Sequence, residues 1–338
     1  WPDCASVRGA GARLGCEPTL QWSAASEARE PLRSLDFYAC SGTHDTSTFD
    51  SLRPGTRQMT DPMNPARPSI AEKRRRFRAL HEDGCFVIPN PWDPGSARYL
   101  QSLGFPAVAT TSAGFAWSQA RPDNGVTVDQ VIEHLRAMVA AVDIPVNADF
   151  EGGFAPDAAG VERNVRRAVE AGVAGLSIED STGDPAQPLY PREAAIERLR
   201  AARRAIDAAG GDTLLVGRSE GFFVGRPDLA ETIARLQAYA EAGADCLYAP
   251  GIRTREEIRA VVEAVAPKPV NVLIGWPTDL TVQDLAALGV RRISVGGALA
   301  RAAWGGFMRA AKEIAEAGTF KGLGEGASGV ELNQLFRG

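Results

Sequence analysis

Two carboxylates and one arginine lie at the ends of predicted strands. Asp149 ends the apolar segment IPVNAD, Glu179 ends the segment AGLSIE, and Arg218 ends the segment LLVGR. In a barrel of parallel strands these ends meet at one mouth, which is where such barrels carry their active sites. Carboxylate oxygens suit a hard divalent cation, and an arginine beside them suits an anionic substrate. The three residues therefore predict a metal-assisted site for a small anion.

Each of these residues also has a purely structural interpretation. Asp149 could cap the loop that follows it, and Glu179 could form an ion pair with Arg218 without touching a substrate. The agreement of three strand ends favours a functional site over these alternatives. Asp180 and Glu220, one or two positions farther along, are predicted to support the site from outside.

Eight short apolar runs are the predicted strands. They cover residues 85–89, 107–110, 145–149, 174–179, 213–218, 245–249, 269–273 and 292–295. Predicted helices lie between or after them, at about 94–103, 127–141, 157–171, 191–209, 228–242, 254–265, 281–288 and 297–317. Eight such units predict an α/β protein, a (β/α)8 TIM barrel. The alternative, an open doubly wound sheet, needs a glycine-rich nucleotide turn after its first strand, and residues 90–95 are not one.

Composition excludes several classes of protein. The 338 residues are 44% hydrophobic with a formal net charge of -5, so neither nucleic acid nor an anionic membrane is expected as a partner. No run of about 18 apolar residues predicts a membrane-spanning helix. Five cysteines without the spacing of a zinc site favour a reducing compartment, and we expect a cytoplasmic protein.

The first 68 residues differ from the rest of the chain. They are rich in Ser, Thr, Arg, Gly and Pro and show no sustained periodicity. We expect a disordered extension, or non-native sequence upstream of a start near Met59 or Met63. Residues 69–338 are predicted to be the catalytic barrel with a C-terminal helical tail.

The other residues near the predicted mouth narrow the chemistry. His44 lies in the extension, and His81 and His134 lie on helices, so Mg²⁺, or Mn²⁺, is expected rather than zinc. No lysine ends a strand, which argues against a Schiff-base mechanism. What remains is metal-assisted stabilisation of an enolate formed from a 2-oxo acid.

Several ordered motifs resemble the isocitrate lyase/phosphoenolpyruvate mutase superfamily, from about residue 77 to residue 336. They are PNPWD at 89–93, TTSAG at 110–114, PD at 122–123, PVNADFEGG at 145–153, SIED at 177–180, GRSE at 217–220 and AEAGAD at 240–245. The resemblance implies a Mg²⁺ enzyme for 2-oxo or 2-hydroxy di- and tricarboxylates, or for phosphonopyruvate. It also implies a homotetramer whose C-terminal helices are exchanged between subunits.

The resemblance assigns roles to individual residues. Asp149 and Glu179 are implied metal ligands, with Asn147 behind them, where it can still hydrogen-bond a metal-bound water, and Asp123 is implied to bond to metal-bound water. Arg218 is implied to bind the substrate carboxylate, and catalytic roles fall on Arg218, Asp123 and Glu179. Ser112, Ala113 and Gly114 are implied to hold the substrate carboxylate through their backbone amides. Thr111 and Asn271, at the ends of their strands, are further candidates for substrate binding.

Two departures from the family pattern bear on activity. Asn147 stands where an aspartate is usual, which removes one negative charge near the metal. The segment 180–190 lacks the cysteine, lysine and histidine of true isocitrate lyases, which are therefore disfavoured. Thr182, Asp184 and Tyr190 are the polar side chains left there, and each could equally belong to a solvated turn.

We therefore expect a Mg²⁺-dependent lyase that cleaves a C–C bond in a small 2-oxo- or 2-hydroxycarboxylate through a metal-stabilised enolate. Retro-aldol cleavage and decarboxylation are both open, and decarboxylation of an oxaloacetate-like acid fits the missing cysteine because solvent can protonate the product enolate. C–P chemistry on a phosphonopyruvate-like substrate is one alternative, and a non-catalytic 2-oxo-acid binder is another. The apolar tail at 330–336 is predicted to be a short helix that docks on a neighbouring subunit.

Overall fold

A computed structural model describes residues 67–337 of the chain, in which eight strands alternate with helices. The strands are β1 Phe86–Ile88, β2 Val108–Ala109, β3 Val146–Asp149, β4 Gly175–Glu179, β5 Leu214–Arg218, β6 Cys246–Tyr248, β7 Val270–Leu273 and β8 Arg292–Ser294. The predicted extension, with Met59, Met63 and His44, lies outside the described residues except for its last two positions.

The helices follow the same alternation. They are α1 Ile70–Ala79, α2 Pro94–Ser102, α3 Ser112–Ser118, α4 Val128–Ala141, α5 Ala158–Glu170, α6 Arg192–Ala208, α7 Leu229–Glu241, α8 Arg255–Val265, α9 Val282–Ala287, α10 Ala298–Ala317 and α11 Gly329–Phe336. A 3₁₀ turn, Lys321–Glu325, lies between the last two. In the described part of the chain, no helix is long and apolar enough to cross a membrane.

The strands form a nearly closed parallel barrel. Their order is β1-β8-β7-β6-β5-β4-β3-β2, and every pair is parallel. Between β1 and β2 the Ala109 amide donates to the Pro89 carbonyl at 3.0 Å. The Asn90 side-chain amide also donates to the Thr110 carbonyl at 2.9 Å. The predicted (β/α)8 barrel is therefore confirmed.

Helix starts agree with the sequence pattern. Thr127, Thr254 and Thr281 each accept a hydrogen bond from the backbone three residues on, and the side chain found there bonds back to the cap. This reciprocal arrangement satisfies amides that the helix itself leaves free. The eight predicted helices are present within a few residues of their expected bounds.

Two helices were not predicted, and both touch the barrel interior. α1 places the Phe77 ring beneath the barrel, where a Cβ on Gly175 would lie 2.6 Å from Phe77 Cε1 and 2.7 Å from Asn147 Oδ1. Only glycine fits at this position of β4. α3 starts directly after β2, so Ser112 begins a helix rather than continuing a loop.

The C-terminal helices leave apolar side chains exposed. Ala300 is the one buried residue of α10, while Trp304, Phe307 and Met308 are exposed. The predicted tail helix is confirmed as α11, and its Phe336 ring centroid lies 5.7 Å from the Arg98 guanidinium of α2. Exchange of these helices between subunits stays a prediction.

Candidate active site

The carboxyl ends of the strands surround a cavity of about 440 Å³. Seven of the predicted site residues line it: Thr111, Ser112, Ala113, Asp123, Asn147, Asp149 and Arg218. Glu179 contacts Arg218 but lines an adjoining cavity, and Gly114 and Asn271 are buried behind the wall. Sequence reasoning therefore placed most of its candidates around one space.

Arg218 lies among three carboxylates. Its Nη1 atom is 3.1 Å from Asp149 Oδ1 and 3.1 Å from Glu179 Oε2, and its Nε donates to Glu220. β4 and β5 pair Glu179 with Arg218, which brings the two side chains together. Although burial opposes its charge, the carboxylates of Glu220 and Glu179 hold the pKa of Arg218 above its usual value. Burial also raises the pKa of Glu179 and of Glu220.

Asp149 is held in place from the end of β2 and from α3. Its backbone amide donates to Thr110 Oγ1 at 2.9 Å, and its Oδ2 accepts the Ser112 amide at 3.0 Å. Asp123 lies at the open rim, where loss of hydration and the Asp149 carboxylate raise its pKa. In the same helix, the Gly114 amide donates to Thr111 Oγ1 at 3.3 Å.

Glu151 belongs to the same cluster and was not singled out from the sequence. It is buried in a left-handed backbone conformation with φ of 44°, and within the described residues its Oε1 has no hydrogen-bond partner. Burial and the carboxylates of Asp149 and Asp123 raise its pKa to about 8. A strained, unpaired carboxyl of this kind is a feature of functional sites. The available signal was the spacing NADFE, which puts a second acid two residues after Asp149.

Charge and donor chemistry at this mouth fit a hard divalent cation. Five carboxylates lie near Arg218: Asp123, Asp149, Glu151, Glu179 and Glu220. Burial raises the pKa of four of them, Asp123, Glu151, Glu179 and Glu220. In residues 67–337 no three His, Cys, Asp or Glu side chains converge closely enough to hold a metal by themselves. Mg²⁺ does not need such a cage, because it keeps several waters and uses one or two carboxylates plus the substrate.

The floor of the cavity has a different composition. Arg292 lines it, and its Nε donates to Asn271 Oδ1 at 2.8 Å. Asn271 in turn donates to Ser294 Oγ at 3.0 Å, so it positions two lining residues instead of lining the cavity itself. Asn147 Oδ1 lies 3.4 Å from Arg292 Nη1. The structure thus joins Asn147 to Arg292, a residue that sequence analysis did not select.

The segment after β4 is folded as a turn. Ser181 and Leu189 form an antiparallel bridge, and Thr182 Oγ1 accepts the Asp184 amide at 3.0 Å. The Tyr190 ring lies 4.2 Å from the Arg198 guanidinium. None of these side chains lines the main cavity, although Thr182 and Tyr190 line the adjoining one.

Asp180 is buried beside this turn with structural partners. Its Oδ1 accepts the Glu220 amide at 2.7 Å, and its Oδ2 accepts from Arg235 at 3.1 Å and from the Tyr239 hydroxyl at 2.6 Å. Asp180 therefore orients the segment that carries Glu220, in agreement with its predicted supporting position.

The family follows from comparison with known proteins. The family model for phosphoenolpyruvate phosphomutase matches residues 77–315. The chain belongs to the PEP mutase family. The resemblance to the isocitrate lyase/PEP mutase superfamily is thereby confirmed, and the chain is an enzyme of the lyase/mutase type, which acts on C–C or C–P bonds.

Individual relatives cover most of the PEP mutase domain. Oxaloacetate decarboxylase of Bradyrhizobium diazoefficiens is 31% identical over 268 residues, which are 75% of this chain and 90% of that protein. A crystal structure of a lyase/mutase from Burkholderia cenocepacia has a TM-score of 0.76 and 48% identity, covering 80% of this chain and 97% of that one. Phosphonopyruvate hydrolase, in complex with oxalate and Mg²⁺, has a TM-score of 0.70 and 28% identity, covering 78% and 94%.

Proposed function

We propose that this PEP mutase family member is a Mg²⁺-dependent lyase that cleaves a C–C bond in a small 2-oxo- or 2-hydroxycarboxylate. The observation that carries the proposal is the cluster of carboxylates around Arg218 at the barrel mouth. Similarity to an oxaloacetate decarboxylase and to a hydrolase with bound oxalate and Mg²⁺ supports this reaction class.

Asp149 and Glu179 are the proposed metal ligands, with Asp123 near metal-bound water and Asn147 farther out. A bound Mg²⁺ would neutralise negative charge that develops on the 2-oxygen of the substrate. Arg218 is fixed by Glu220 on one side, so its Nη atoms are directed at the metal-binding carboxylates and the substrate carboxylate.

Decarboxylation is the favoured form of the reaction. A lyase that must protonate a specific carbanion needs an acid close to it, and the turn at residues 181–190 brings no side chain to the main cavity. Loss of CO₂ from an oxaloacetate-like acid leaves an enolate that water can protonate. Cleavage of a true isocitrate, which depends on the missing cysteine loop, stays disfavoured.

A substrate panel tests the proposal. Purified protein is incubated with Mg²⁺ and oxaloacetate, isocitrate, 2-methylisocitrate or phosphonopyruvate, and release of CO₂, pyruvate, glyoxylate and phosphate is measured, with EDTA as the control. We expect CO₂ and pyruvate from oxaloacetate, lost in EDTA. Phosphate release from phosphonopyruvate would identify C–P chemistry, and binding without turnover would identify a non-catalytic protein. Full activity in EDTA would exclude the metal.

We also propose a cytoplasmic homotetramer in which the C-terminal helices are exchanged. The exposed Trp304, Phe307 and Met308 of α10 support burial against another subunit. Truncation after Gly329 should lower the mass measured by light scattering, whereas Glu331→Gln should leave it unchanged. An unchanged mass after truncation would contradict the exchange of α11.

A further inference from the structure

A buried arginine with no carboxylate partner in the described part of the chain lies at the floor of the cavity. Arg292 is 2% exposed, and its three side-chain contacts are Asn271, Asn147 and His81. Burial and the Arg292 guanidinium lower the pKa of His81 to about 3, so that imidazole is neutral. Within residues 67–337, no Asp or Glu lies close enough to pair with Arg292. The titratable groups near it are Cys246 and Tyr248, which would carry a negative charge only if they ionised.

An unpaired buried charge is costly, often by several kcal/mol, unless a counter-charge arrives. Arg292 uses Nε and Nη1 for its protein contacts, and Nη2 makes no hydrogen bond in the described part of the chain. The side chain also lines the cavity together with Ser177 and Ser294. The guanidinium therefore has neutral partners on the protein side and open space on the cavity side.

We propose that Arg292 forms a second anion-binding subsite, which takes the distal carboxylate of a dicarboxylic substrate. This inference rests on the proposed function, in which Arg218 and the metal-binding carboxylates hold the 2-oxo- or 2-hydroxycarboxylate end. Asn147 and Asp149 are successive inward residues of β3, about 7 Å apart along the strand. A short diacid can therefore extend from the mouth to the floor. One guanidinium balances one charge, which favours a carboxylate over a dianionic phosphonate.

In this arrangement, Asn147 leaves the charge of Arg292 available to a ligand. Its amide oxygen lies 3.4 Å from Arg292 Nη1, so an aspartate in its place would form an ion pair there. That pair would neutralise the guanidinium and close the subsite to substrate. An asparagine at position 147 keeps the charge available.

Malate and lactate test the subsite, because both are 2-hydroxy acids and only malate has the distal carboxylate. Affinities are measured by titration calorimetry with saturating Mg²⁺. Wild type should bind malate at least about tenfold more tightly than lactate. Arg292→Gln should bring the ratio close to one and change lactate affinity by less than twofold. The matched control is Arg291→Gln. The Arg291 side chain donates to the Gly84 carbonyl, so this variant should preserve the ratio of malate to lactate affinity.

A preserved ratio in Arg292→Gln would overturn the subsite while leaving the metal site intact, since lactate would still bind. A larger loss for phosphonopyruvate than for malate would overturn the carboxylate assignment. If Arg292→Gln does not fold, Asn147→Asp decides: the ratio should fall and the melting temperature should rise. An unchanged ratio in that variant would also reject the subsite. If the ratio falls as expected but the substrate panel shows no turnover, the subsite stands and the lyase function fails.

Discussion

The mouth and the floor of one cavity have opposite charge balances. At the mouth, five carboxylates lie near Arg218, and three of them, Asp149, Glu179 and Glu220, contact its guanidinium. At the floor, Arg292 contacts two side-chain amides and a neutral imidazole. In neither region do the positive and negative charges of the protein balance, although both regions are largely buried.

The difference indicates which ligand group each region accepts. Excess negative charge in a region of hard oxygen donors favours a divalent cation, and excess positive charge favours an anion. A Mg²⁺ ion at the mouth and a dicarboxylate that reaches the floor would together balance the charges of both regions. The following predictions test the two regions separately, from the largest expected effect to the smallest.

Asp149→Asn should remove the principal metal ligand from the mouth. We expect a loss of about 10³-fold in kcat, comparable to removal of a key electrostatic group in other active sites. Steady-state kinetics over a Mg²⁺ titration would measure it. Asp83→Asn, whose exposed side chain precedes β1 at the opposite end, is the control and should behave as wild type. Retention of normal metal-dependent kinetics would exclude Asp149 from the site.

Arg218→Lys should keep the charge at the mouth but lose the planar fork. We expect kcat/KM to fall at least about tenfold, or roughly 1.4 kcal/mol, because lysine cannot bond to the same carboxylates in the same geometry. Arg235→Lys is the matched control, since Arg235 pairs with buried Asp180 away from the main cavity. It should lower the melting temperature with little change in kcat/KM. Equal kinetics in the two variants would make Arg218 a purely structural residue.

Glu151→Gln should change how stability depends on pH. The folded-state pKa of Glu151 is about 8 against an ordinary value of 4.5, so the folded protein binds the extra proton between these values. The protonated Glu151 carboxyl contributes fully to the free energy of unfolding below about pH 4.5. This contribution is lost as pH rises toward 8, by at most about 1.4 kcal/mol per pH unit. In EDTA, the variant should gain stability relative to wild type across this window. The same difference in melting temperature between the variant and wild type at pH 5 and at pH 8 would contradict the raised pKa.

Ser294→Ala should have the smallest effect, and it concerns the floor. The substitution removes the acceptor that Asn271 Nδ2 uses at 3.0 Å, so the side chain that orients Arg292 loses one bond. We expect a cost of about 1 kcal/mol in the free energy of unfolding, measured by urea denaturation. Mg²⁺ affinity at the mouth should not change. A weaker metal affinity would show that the two regions are coupled through the barrel interior.

Much of the barrel could be predicted from local patterns. Threonine caps and short apolar runs act over a few residues, so Thr127, Thr254 and Thr281 set helix starts through contacts that lie within three residues of each cap. The strand-end residues Asp149 and Arg218 followed from the same reasoning. Parallel strands place their carboxyl ends at one mouth whatever the details of packing.

Sequence by itself determined the fold, the family and the negative character of the mouth, because each depends on motif order and strand ends. It did not distinguish Arg291 from Arg292. Strands buried on both faces show no clear alternation of polar and apolar residues, so the inward side chain cannot be read from the pattern. Barrel closure decided that Arg292 points inward and meets Asn147, which is 145 positions away in the chain. Tertiary packing also decided that the Glu151 carboxyl is buried, with no hydrogen-bond partner for its Oε1 atom among residues 67–337. The environments of Arg292 and Glu151 depend on residues far apart in the chain, so no local pattern shows them.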